Sequence, residues 1–210
     1  MRKAGFTIIE VVIVFLLMLG VTFLILPRSL DTTRQARFIS KWTETYSELE
    51  YMFSVIKAQS DSDIDIKIKN AENNDVRKQI VLDTIKPYLR ITAEAAPNYR
   101  QYYINKMPVQ QGGKYYFDNF YATNSNEVIG LKWINPKCNG NEVCGLLSFD
   151  VNGEDLPNAW GYDVFGVNIF NDKISPLGAG YIPEVLRNDC SAKGSGLYCS
   201  YYYLMGGKFD

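Results

Sequence analysis

Between Phe6 and Leu26 the chain runs FTIIEVVIVFLLMLGVTFLIL, about 21 residues and as long as the ~20 that cross a hydrocarbon core as helix. The run is greasy on every side, so it constrains the fold before anything else does. One residue breaks it. Glu10 sits near the start, where an ionised carboxylate inside a membrane costs about 2.5–3.5 kcal/mol on insertion scales. Pro27 closes the run, and its missing N–H and bulky ring are expected to kink or end the helix there.

A cleaved secretory signal would have a shorter apolar region, roughly 7–15 residues, followed by a small-x-small site. Here the run ends in LILPRSLD, without such a site. A plain signal anchor accounts for the apolar run but leaves Glu10 and the abrupt KAGF junction unexplained. Charge does not orient the segment: Arg2 and Lys3 precede it, while Arg28, Arg34, Arg37 and Lys41 follow. The rest of the chain is suited to a folded head. Of 210 residues 47% are hydrophobic, enough for a core, and a net charge of −1 gives no reason to expect a nucleic-acid partner. Histidine is absent, which excludes Ser-His and Cys-His nucleophile pairs and His-ligated zinc. No enzymatic activity is expected. The 15 tyrosines, clustered in YYFDNFY and CSYYYLM, point to strands and interaction surfaces.

The string RKAGFTIIE resembles the N-terminus of the type IV pilin and type II secretion pseudopilin family. The resemblance implies that a prepilin peptidase cuts between Gly5 and Phe6, that Phe6 becomes an N-methylated terminus, and that Glu10 takes the glutamate position of the mature chain. Pro27 falls where many of these proteins carry a helix-kinking proline. Physical reasoning runs the same way. A cut after Gly5 leaves a charged amine on Phe6, and Glu10 of a neighbouring subunit would neutralise it. Since the two lie about four residues apart, ~6 Å along a helix, such a pair would fix the stagger between subunits. The alternative is an acid that snorkels to the interface from the first turn.

Beyond Pro27, apolar residues recur at Phe38, Trp42, Tyr46, Leu49, Phe53 and Ile56, one stripe of a helix predicted to reach about Ala58 and to pack on a head. QSDSDIDIKIKNAENND reads as a loop with a short exposed strand through Ile64, Ile66 and Ile68. Val76, Ile80 and Ile85 mark a second helix, with Asp75 as its N-cap and Pro87 near its end. From about Tyr102 onward strands and turns are expected. LKWINPKCNGNEVCGLLSFDVNG reads as a β-hairpin around an Asn-Gly turn, with Leu147, Phe149 and Val151 on one face. LYCSYYYLM reads as a C-terminal strand.

The four cysteines permit three pairings. Outside the cytoplasm the local pairs Cys138–Cys144 and Cys190–Cys199 are favoured, each closing a short loop. Four reduced thiols would instead imply a cytoplasmic head, which the resemblance argues against, because pilin heads face the periplasm and often end in a disulfide-closed region. In FDVNGEDLPNAWGYDVF, Asp150, Asn152 and Glu154 alternate as in calcium loops, with Asp163 further on. Asp150, Asn152 and Asp163 are therefore candidate Ca²⁺ ligands, although the string is not an EF-hand and Asp-x-Asn-Gly makes a turn without metal.

The expected fold is α+β: a long N-terminal helix, transmembrane in its first half, packed on a small antiparallel sheet. Residues 1–5 form the leader, 6–27 the transmembrane and filament-core helix, 28–58 its amphipathic continuation and 59–210 a periplasmic head. The expected function is that of a structural subunit, a minor one by its size and irregular middle. Such a subunit waits in the inner membrane, is processed by prepilin peptidase, and polymerises through an assembly platform into a pilus or a secretion or competence pseudopilus. The rival readings are an uncleaved, signal-anchored periplasmic binding module and an anchored enzyme.

Overall fold

The computed structural model describes residues 7–59, 70–135 and 138–208, with the backbone alone for 23–31. Gly5, Phe6 and the Ile64, Ile66 and Ile68 stretch lie outside the described residues. The architecture is α+β, and the chain divides into two units, Met1–Arg37 and Phe38–Asp210.

The first helix, α1 (Ile8–Gln59), runs through Pro27 and ends one residue beyond the Ala58 expected from the stripe. Proline therefore does not terminate it. In the first unit its residues from Ile8 to Val21 are exposed wherever large and apolar, from 84% at Ile8 down to 45% at Leu19. Among the described residues no helix is long and apolar enough to cross a membrane; the described side chains of the apolar run stop at Thr22. In the second unit the same helix inverts its surroundings. Phe38, Trp42, Leu49 and Met52 are buried, and Tyr46, Phe53 and Ile56 pack around them, along the stripe read from the sequence.

The second helix, α2 (Asn74–Leu89), is capped by Asn73, whose side chain accepts the Val76 N–H at 2.9 Å, and not by Asp75. An asparagine oxygen before the first turn reaches an unpaired helix N–H, whereas Asp75 already lies inside the helix. Pro87 is tolerated in the last turns, and the helix closes at Arg90 in left-handed conformation. Its Val81, Leu82 and Ile85 face the core.

Six strands follow in one antiparallel meander: β1 (Ile91–Glu94), β2 (Phe120–Thr123), β3 (Val128–Trp133), β4 (Gly145–Asp150), β5 (Val164–Ile169) and β6 (Ile174–Pro176), in sheet order β1-β2-β3-β4-β5-β6. The expected hairpin is β3–β4, with Leu131 opposite Leu147 and Trp133 opposite Gly145. Alternation places Leu147, Phe149, Phe165 and Val167 against α1 and α2, where Trp42 stacks on Phe165 at 5.2 Å. The opposite face is covered as well. Leu146, Val164, Phe117, Trp160, Leu177 and Leu197 form a second core there, so β4 is buried along its whole length. Gly130 and Gly166 let this layer approach: a Cβ at Gly130 would lie 2.9 Å from the Phe117 ring, and one at Gly166 2.8 Å from Trp160.

The C-terminal segment departs from the strand expected of it. After α3 (Pro183–Asp189), the residues Cys199–Leu204 form a short helix, α4. Its tyrosines alternate in burial by helical turn: Tyr203 is buried and lies edge-on to Phe165, while Tyr201 and Tyr202 are half-buried.

Candidate functional site

The polar end of α1 holds the first candidate. Glu10 Oε2 accepts the Thr7 N–H at 2.8 Å and the Thr7 hydroxyl at 2.9 Å, while the Glu10 N–H points back at Thr7 Oγ1 at 3.4 Å. With the helix starting at Ile8, this is a reciprocal capping box between N-cap and third residue, which satisfies two otherwise orphaned N–H groups. Glu10 thus has work inside its own chain. The arrangement leaves Glu10 Oε1 outside these bonds. The Gly5–Phe6 junction lies outside the described residues.

The second candidate is the disulfide-closed region. Cys138–Cys144 and Cys190–Cys199 are both bonded, with Cα atoms 5.2 and 5.0 Å apart, and among the described residues no cysteine is free. Cys144 leads directly into β4 and its N–H donates to Ile169 O at 2.8 Å, so the first bridge anchors the hairpin loop at the sheet. The second closes the link between α3 and α4. Asp189 organises that link, accepting the N–H groups of Ser195 at 3.0 Å and Tyr198 at 2.8 Å as well as the Ser195 hydroxyl. Buried Ser200 then ties the link to both neighbours: its carbonyl accepts Trp42 Nε1 at 2.8 Å and its hydroxyl accepts the Gly166 N–H at 2.9 Å.

The third candidate is the proposed calcium cluster. Asp150, at the end of β4, and Asp163, just before β5, are fully buried, and the charge of Asp163 disfavours ionisation of Asp150. Asp150 accepts the Tyr99 hydroxyl at 2.7 Å and the Asn152 N–H at 3.2 Å. Asp163 accepts the N–H groups of Asn158, at 3.1 Å, and Ala159. Burial and the neighbouring Asp163 push the Asp150 carboxyl well above the usual carboxylate range, and burial raises Asp163 to about 7. Two close carboxylates in a dry interior do not both ionise. Two backbone donors favour the ionised form at Asp163 more than at Asp150, whose carboxyl is pushed higher.

This donor set does not fit Ca²⁺, which takes six to eight oxygens. Among the described residues there is no group of three or more carboxylate, cysteine or histidine ligands. Asn152 is turned so that its Nδ2 donates to Asp155 O at 3.0 Å, and Glu154 lies apart, accepting the Ala96 N–H. Within this turn, among the described residues, the buried oxygens without a hydrogen-bond partner are the Oδ1 atoms of Asn152 and Asn158. The sequence pattern is a turn that buries two acids, and its partners Tyr99 and Lys41 carry no sequence signal because they come from distant segments. Lys41 of α1 donates to Val151 O and lies 3.5 Å from Glu127.

Comparison with protein-family models, with curated proteins and with solved structures finds no match for the chain.

Proposed function

We propose that the chain is a pilin-type structural subunit, held in the bacterial inner membrane by the apolar half of α1 and polymerising through that half into a pilus or pseudopilus. The support is one observation: a single helix whose first half exposes apolar side chains on all sides while its second half is the spine of a folded head. A surface of that kind is stable in lipid or among its own copies, not in water. Glu10 is the one charged residue between Ile8 and Thr22, and RKAGF supplies the processing signal. Prepilin peptidase and an assembly platform are the implied partners, the head lies in the periplasm where its two disulfides form, and the subunit is a minor one.

Intact-mass measurement of the chain from a membrane fraction tests this reading. Loss of Met1–Gly5 and gain of one methyl group is the expected result, and Gly5→Leu should block the cut. An unprocessed chain would favour the second reading, an uncleaved anchored binding module, for which the Thr7–Glu10 capping box would be the whole reason for the acid.

A further inference from the structure

The chain contains two Asn-Gly dipeptides, Asn139-Gly140 and Asn152-Gly153. Asparagine before glycine is open to attack by the backbone on its own side chain, because glycine carries no Cβ to crowd the attacking nitrogen. The fold gives the two sites opposite surroundings.

Asn139 and Gly140 are both exposed, in the loop that Cys138–Cys144 closes. The Glu142 N–H donates to Asn139 O at 3.1 Å, which makes residues 139–142 a β-turn with Gly140 second, at φ +55°. Such a turn offers the N–H of its second residue no partner of its own. Among the described residues nothing accepts the Gly140 N–H, and nothing bonds the Asn139 side-chain amide. What holds Asn139 is its main chain, whose N–H donates to Glu142 Oε2 at 3.3 Å. A Cβ placed on Gly140 would meet nothing within 4 Å, so solvent reaches the peptide nitrogen.

Asn152-Gly153 is locked by comparison. Asn152 Nδ2 donates to Asp155 O at 3.0 Å, the Gly153 N–H donates to Asp150 O at 3.4 Å, and Gly153 is buried. The group that would leave and the nitrogen that would attack are both engaged.

We propose that Asn139 is a site of spontaneous covalent modification in the folded head, deamidation to aspartate and isoaspartate, while Asn152 is protected. The Gly140 nitrogen gives its proton to solvent and attacks Asn139 Cγ. A C–N bond forms, the Cγ–Nδ2 bond breaks, and ammonia leaves a five-membered imide behind. Water then opens the ring at either carbonyl. Opening at Cγ gives aspartate; opening at the main-chain carbonyl gives isoaspartate, with an extra methylene in the backbone. The sum is amide plus water to acid plus ammonia, and nothing is oxidised or reduced. The new carboxylate arises in a turn that already holds Glu142, whose Oε2 accepts the Asn139 N–H and, at 3.2 Å, Asn135 Nδ2. It acts there by like-charge repulsion. The head alone carries the site, so the proposal stands whether or not the chain polymerises.

The test incubates the full, disulfide-bonded chain in detergent at neutral pH, in water enriched in heavy oxygen. Peptide mapping with tandem mass spectrometry follows both sites over time. Loss of the Asn139 amide with uptake of labelled oxygen is expected, together with isoaspartate detected by an isoaspartate-specific methyltransferase. Two hydrogen bonds that must break first should make Asn152 about thirtyfold slower. In the reduced, denatured chain the two sites should react at similar rates, which assigns the difference to the fold. An Asn139 amide that survives in the folded chain overturns the proposal, as does equal loss at both sites in the folded chain.

Discussion

The two halves of α1 are built from similar side chains and meet opposite environments. Leu16 and Leu17 are 63% and 65% exposed, whereas Trp42 and Leu49 are fully buried. The difference lies in the spacing of polar residues. From Phe38 onward they leave one stripe for the sheet, and Trp42 fills it by stacking on Phe165 and donating to Ser200 O. Between Ile8 and Val21 only Glu10, Gly20 and no other polar or small residue interrupts the apolar surface, so no face is set aside for water. A helix that needs a partner on every side and one that needs a partner on one side are different devices, carried here on one helix.

The largest expected effect falls on the exposed half. Glu10→Leu should leave membrane fractionation and head stability unchanged and abolish incorporation into filaments, because a neighbour's Phe6 ammonium would enter an apolar core unpaired. Breaking a buried pair costs about 3–5 kcal/mol. The capping box sharpens this. Glu10→Gln keeps an oxygen for the Thr7 N–H but carries no charge, so normal capping with failed assembly would separate the two roles. A shear-fraction assay beside a membrane-fraction blot reads both, and normal incorporation of Glu10→Leu would leave Glu10 as a helix cap alone.

Next comes the packed half. Trp42→Ala should destabilise the head by about 3–5 kcal/mol, the usual range for a buried aromatic removed to a cavity. Leu16→Ala should leave the head's denaturant midpoint where it was. Equal losses from both, measured by equilibrium unfolding, would erase the distinction between the halves.

Much of this contrast was legible in the residues themselves. The stripe from Phe38 to Ile56, the β3–β4 hairpin and the two local cysteine pairs follow from periodicity, turn chemistry and short loops. Thr7-x-x-Glu10 also has the form of a capping box, a signal that an acid in an apolar run tends to hide. Other features depend on contacts between distant segments. CSYYYLM favours a strand by propensity, yet burial of Ser200 and Tyr203 against Gly166, Gly161 and Phe165 makes it the helix α4. Tyr99 and Asp150 meet across 51 residues, and the acid pair they serve resembles a calcium loop only while its hydrogen bonds are unknown.

The second disulfide gives a smaller effect of the same kind. Cys190→Ser with Cys199→Ser should cost the head about 2–4 kcal/mol. Because Ser200 follows Cys199 directly, the loosened link should also release the Trp42 N–H from Ser200 O, visible as faster exchange of that indole proton. Unchanged exchange would show that Asp189 holds the link without the bridge.

Smallest per pH unit is the effect of the buried acids. Both folded-state carboxyls titrate above their unfolded values, so the folded head binds more protons than the unfolded chain across the interval between them. Their contribution is fully present below the unfolded pKa of about 4 and is lost as pH rises through about 7 and beyond. Stability should therefore fall with rising pH, by at most about 1.4 kcal/mol per pH unit for one proton. The groups facing the pair are Tyr99, which donates to Asp150, and Lys41, whose charge favours the ionised form without reaching the carboxylate. Asp150→Asn, which keeps an oxygen for the Asn152 N–H and carries no charge, should flatten the slope and raise stability at pH 8 relative to the parent. Urea unfolding of the two proteins at pH 5 and pH 8 measures it. A slope that persists in Asp150→Asn would move the proton elsewhere, and a parent stabilised at pH 8 by millimolar calcium, but not in Asp150→Asn, would mean that a cation neutralises this pair.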